Sequence, residues 1–147
     1  MLTIRRICFG VSVCWPAIVL AASTAPTTGE QALRNECSAF SQAGIRDCLE
    51  EKVENSQKVL SQAEQKMVGT LSKWDEDNRY IRQANAKLVA SNKKFAEYRA
   101  TQCEFSASLS GGAAGDAREI RRLACVAELN NRRAEQLANA ASELPLK

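Results

Sequence analysis

Six cysteines and no histidine set the chemistry open to this chain of 147 residues. Without an imidazole there is no histidine base to activate a serine or cysteine nucleophile, no ordinary zinc site and no proton switch near neutral pH. The carboxylates do not replace it. Asp75, Glu76 and Asp77 lack the ligand number and the glycine of a calcium loop, so they read as a solvated turn. Glu50, Glu51 and Glu54 point in different directions on a helix and read as a solvent face rather than as a hydrolytic pair. No catalytic residue, metal ligand or cofactor site is expected, and the chain is not expected to be an enzyme.

The thiols matter more. Cys8 and Cys14 fall in residues 1–22, which have the form of a secretory signal peptide. Arg5 and Arg6 are followed by an apolar run from Ile7 to Leu20 and by small residues at Ala21 and Ala22. That run is too short and too broken by Pro16 to span a membrane, and Val13 and Trp15 beside Cys14 argue against lipid attachment. Cleavage leaves residues 23–147 as a single domain, periplasmic or secreted, with no stable membrane anchor. Its four cysteines, Cys37, Cys48, Cys103 and Cys125, form an even set that reads as two disulfides in an oxidising compartment. Three pairings are possible. Proximity favours Cys37 with Cys48 and Cys103 with Cys125, each closing a loop worth about 3 kcal/mol.

Charge points away from polyanions. The full chain carries +3, and with Arg5 and Arg6 removed 18 basic residues face 17 acidic ones, so no nucleic-acid footprint is indicated. The arginines after residue 116 (Arg118, Arg121, Arg122, Arg132, Arg133) are interspersed with Asp116, Glu119, Glu128 and Glu135, the pattern of a salt-bridged surface.

The elements that must position the cysteines are helices. Thr27 and Glu30 fit a capping box that opens a short helix to about Phe40, and Gly44 marks a turn before the next. From Ile45 to Leu109 there is no proline. Val53, Leu60, Met67, Trp74, Ile81, Leu88 and Phe95 recur every seven residues. One rod of about 65 residues would reach roughly 95 Å, too long for a monomer to bury its stripe. A hairpin at Asp75-Glu76-Asp77-Asn78 is more economical: it gives arms of roughly 44–73 and 79–108 whose stripes face each other, and it gathers both disulfides at one end. The other end is then held by packing, with Trp74 and Tyr80 as plugs. A last helix, about Asp116 to Ser142, fills the groove, and Pro145 leaves a frayed tail. Asn130 interrupts its apolar side, as a register-setter or at an exposed spot. The expected fold is all-α, a small antiparallel helical hairpin or three-helix bundle with a short N-terminal helix, stapled by two disulfides.

Within this frame, Phe95, Tyr98 and Phe105 form an aromatic stripe expected to face apolar surface, with the Tyr98 hydroxyl reaching outward and Arg99 pairing with Glu128 or Glu135. The segment Ser108 to Gly115 protrudes between helices, is anchored by the Cys103–Cys125 bridge, and exposes backbone donors and acceptors at its glycines. Tyr98, Arg99, Ser110, Gly111 and Gly112 are the candidate partner-binding residues.

Phe95, Tyr98-Arg99, Cys103, the Gly111-Gly112 turn, Cys125 and the arginine-rich segment that follows also carry a resemblance. From Cys37 to Leu137 the chain resembles the N-terminal domain family of the lysozyme inhibitor LprI. It departs at Phe95, where the family usually has Trp, at Ala100, where Asp is usual, and at Ala113, where Ser is common. The resemblance implies an exported binding protein that blocks a lysozyme-type muramidase without chemistry of its own, with a monomer as the favoured state. The alternative is a periplasmic structural or adaptor protein that joins another envelope protein through a coiled-coil face.

Overall fold

A computed structural model describes residues 29–112 and 115–147. The signal-peptide reading of residues 1–22, the cap at Thr27, and Ala113 and Ala114 lie outside the described residues. Among the described residues four helices run in chain order: α1 (Glu30–Glu36), α2 (Gln42–Leu71), α3 (Asn78–Ser108) and α4 (Ala117–Ser142). Among the described residues there is no strand, only an isolated bridge between Trp74 and Leu146.

The expected hairpin forms where the short polar residues stand. Asp77 caps α3 by accepting a hydrogen bond from the Arg79 amide at 2.7 Å, satisfying one of the free N–H groups of the first turn. Ser41 caps α2 in the same way through the Gly44 amide at 3.3 Å. Gly44 is thus inside the first turn of α2 and not in the turn before it. It is glycine because a Cβ there would stand 2.8 Å from Cβ of Phe40. The α1 helix is shorter than expected. Gly29 occupies its N-cap, so Glu30 is the first helical residue, and its carboxylate accepts from Ser106 Oγ at 2.9 Å and faces Arg34 at 3.6 Å.

The two arms do not bury their stripes against each other. α2 and α3 scarcely touch, and both pack along α4. The reason lies in α4, whose inward face carries Ile120, Leu123, Ala124, Ala127, Leu129, Ala134, Leu137 and Ala141, all buried. Its alanines let a neighbouring backbone come close, and interaxial distance follows side-chain size. Leu49 packs with Ile120 and Leu123, and further along Leu60 packs with Ala134 and Leu137, so α2 and α4 run parallel and α3 antiparallel to both. The far side of the α2–α3 gap is an open apolar cleft of about 360 Å³ lined by Val68, Leu88 and Val89.

Both disulfides have the pairing that proximity favours. Cys37 joins Cys48 with Cα atoms 5.9 Å apart, and Cys103 joins Cys125 at 5.4 Å. They seat on neighbouring positions of α4: the first packs in the cluster of Leu123 and Ala124, the second in the cluster of Leu129. Both are therefore at the same end of the bundle.

The opposite end is held by more than packing. The Asp75 amide donates to the Pro145 carbonyl at 2.9 Å and the Lys147 amide donates to the Lys73 carbonyl at 3.0 Å, so the expected frayed tail is pinned across the α2–α3 turn. Free backbone groups of the turn and of the chain after α4 satisfy each other there. Trp74 is half-buried within this clasp. Tyr80 is no plug, being 45% exposed beneath the Arg79 guanidinium, 4.8 Å from its ring centroid.

Candidate functional site

The rotation of α3 decides which of its side chains can meet a partner. Successive helical residues are about 100° apart, so anchoring Cys103 inward at Cys125 leaves Phe105 about 160° away and Tyr98 about 140° away. The expected inward aromatic stripe is accordingly split. Phe95 packs inward against the Leu60 and Cys103 clusters, whereas Tyr98 and Phe105 stand out in solvent, 53% and 58% exposed. Leu109, one turn beyond Phe105 on the same face, is 59% exposed.

Arg99 takes the inward place that Tyr98 was expected to hold. It does not pair with Glu128 or Glu135. Its guanidinium donates to Oδ1 of Asn130 and, at 3.1 Å, to Oε1 of Gln57. Asn130 is fully buried and donates in turn to Ser56 Oγ at 3.0 Å, and the Ser56 hydroxyl donates to the Val53 carbonyl at 2.8 Å. One polar chain thus crosses α2, α4 and α3 in the middle of the bundle. Asn130 is therefore not at an exposed spot; it is buried and hydrogen-bonded to both neighbouring helices. Beside it, the Phe95 ring has two guanidinium groups near it, Arg99 at 5.6 Å and Arg133 at 5.8 Å from its centroid, and Arg133 donates to Ser91 Oγ and Asn92 Oδ1, each at 2.9 Å. These contacts hold α3 to α4 where α3 has few apolar anchors.

The α3–α4 connection is built as a short stapled loop. Gly111 has φ +59° and Gly115 φ +80°, the left-handed region that side chains other than glycine rarely adopt. Ser110 Oγ donates to the Ala117 carbonyl at 3.3 Å, tying the loop to the start of α4. Gly111 and Gly112 are exposed. The candidate residues therefore divide. Tyr98, Gly111 and Gly112 are accessible, Ser110 fixes the loop, and Arg99 is a component of the framework.

Charges around the loop are spent on one another. Arg118 reaches Glu104 at 3.1 Å and Arg46 reaches Asp116 at 3.6 Å. Arg122 donates to both carboxylate oxygens of Glu119, at 2.8 and 2.5 Å. These hydrogen bonds hold the Glu119 carboxyl below the usual range against the opposing effect of burial, and raise Arg122 in turn. Asp47 and Asp116 likewise raise Arg46, the Asp47 hydrogen bond most. Further along α4, Arg132 pairs with the buried Glu128. This pair borders an open depression of about 380 Å³ between α1, α3 and α4, with Tyr98 and Gln102 on its α3 wall and Glu30 and Gln31 at its edge.

Phe105 faces outward where the sequence suggests an inward place, Leu109 of the protruding segment joins it there, and Ser56 and Gln57 enter the framework without being among the candidates. The spacing from Cys103 alone requires the outward turn of Phe105 once Cys103 is fixed inward. Nothing in the local sequence marks Ser56. Among the described residues no group of acidic or cysteine side chains is placed to hold a metal ion, and no helix is long and apolar enough to cross a membrane.

Fold and site define a disulfide-stapled all-α bundle that presents an aromatic ridge and a glycine loop at its stapled end. Residues 32–137, from within α1 to the last turns of α4 and including all four bridged cysteines, match the family model described as Lysozyme inhibitor LprI; the chain belongs to that family. No curated protein and no solved structure matches it.

Proposed function

We propose that this protein is exported and works as a monomer by binding a lysozyme-type muramidase and blocking it, with no catalytic step of its own. Membership of the lysozyme inhibitor family across residues 32–137 carries this reading. The structure supports it in two ways. The Gly111–Gly112 turn is exposed and small enough to enter an enzyme cleft. It is also held at its base by the Cys103–Cys125 bridge and the Ser110 hydrogen bond, so little conformational freedom is lost on binding. The residues assigned to the contact are Tyr98, Gly111 and Gly112, with Ser110 shaping the loop.

The test is a titration of muramidase activity on a cell-wall suspension with the pure oxidised protein. Stoichiometric loss of activity is expected. Full activity at a large excess of the protein would refute the proposal. Against the alternative of an adaptor that joins another envelope protein through a coiled-coil face, the heptad residues Leu60, Met67, Leu88 and Phe95 are engaged in the chain's own core.

A further inference from the structure

We infer that the muramidase is gripped by an apolar ridge on the outer face of α3, Tyr98, Phe105 and Leu109, which continues into Gly111 and Gly112, and that the grip is not driven by charge. This rests on the inhibitory reading above and assigns its contact surface. Tyr98 and Phe105 are seven residues apart and Phe105 and Leu109 four, so the three share one face over about 16 Å of helix. All three are more than half exposed, and the ridge runs directly into the exposed turn. Large aromatic and aliphatic groups in one line, beside a loop stapled in place, form a rigid surface of the kind that supplies the anchor side chains of a protein interface.

The surrounding charges argue for the second half of the inference. On the helix of the ridge Lys94 pairs with Glu97, and beside Phe105 Glu104 pairs with Arg118, so these charges are engaged within the chain. An interface built on opposed charge loses affinity with salt, whereas one built on apolar contact does not.

The experiment compares inhibition of a purified lysozyme by the full chain, expressed for export and purified oxidised, with its Phe105→Ser, Leu109→Ser and Val89→Ser variants. Val89 is the control. It is 69% exposed on the same helix, about 160° around from Phe105. Because all three side chains are exposed, helicity by circular dichroism is expected to match the parent. Phe105→Ser and Leu109→Ser are each expected to raise the inhibition constant at least tenfold, and Val89→Ser to leave it within twofold. The constant of the parent chain is expected to change less than threefold between 50 and 500 mM salt. Inhibition by the parent with both ridge variants equally potent would overturn the ridge and leave the inhibitory reading standing. So would a steep loss of inhibition with salt, as regards charge. No inhibition by the parent would overturn both.

Discussion

Asn130→Ala is the perturbation that interrogates the framework most directly. The side chain is wholly buried, donates to Ser56 Oγ and accepts from Arg99. Removal deletes one neutral hydrogen bond and one from a charged donor, about 1 and about 1.5–3 kcal/mol by general experience. The partners are not wholly orphaned. Ser56 keeps its donation to the Val53 carbonyl, and Arg99 keeps Gln57. A net cost of about 2–3 kcal/mol follows. Urea unfolding of the oxidised protein, followed by helicity, reads it as a lower midpoint at unchanged slope. Arg99→Met is expected to cost about 1–2 kcal/mol, since it leaves a buried amide oxygen without its donor. The double variant Arg99→Met/Asn130→Leu is expected to cost less than the sum of its single changes by at least about 1 kcal/mol, because apolar groups then replace both ends of the bond. A cost below about 0.5 kcal/mol for Asn130→Ala, or strict additivity in the cycle, would show that the polar chain does not hold the three helices together.

Three other outcomes follow from particular contacts. Gly111→Ala is expected to destabilise by about 1 kcal/mol, since nothing crowds its Cβ but φ +59° is strained for a side chain, while Gly112→Ala stays within about 0.5 kcal/mol in the same urea assay. Deleting residues 145–147 removes the backbone partners of Asp75 and Lys73, and hydrogen exchange at the Asp75 amide is expected to accelerate at least tenfold while amides of α4 near Cys125 stay protected. The Glu119 carboxyl is lowered in the folded chain by Arg122, so its contribution is present above the ordinary carboxylate range and is lost as pH falls through the lowered value. The pair is partly exposed and is worth a few tenths of a kcal/mol. Glu119→Gln is therefore expected to lower the melting temperature slightly at pH 7 and to match the parent near pH 2. With no histidine in the chain, no imidazole adds a further step between pH 6 and 8.

The amino-acid sequence by itself determined the helices and the place of the hairpin, and it favoured the two bridges that form. Each is local: a seven-residue apolar repeat, a run of Asp and Asn whose side chains cap rather than extend a helix, and cysteines close enough in the chain to meet. Only the tertiary structure decided which helix occupies the centre and which way α3 is turned. The repeat shows that a face is apolar but not what covers it, and α4 holds that place because its inward face carries the longest series of buried side chains, from Ile120 to Ala141. Likewise, Phe95, Tyr98 and Phe105 look alike in sequence. Whether each is core or surface depends on the angle that Cys103 fixes against Cys125, on another helix. The same holds for Arg99, drawn inward by a buried amide 31 residues later, and for the tail, pinned by carbonyl and amide groups of a turn some 70 residues before it. Pairings of that range leave no periodic trace, because they depend on packed helices meeting and not on the order of neighbours along the chain.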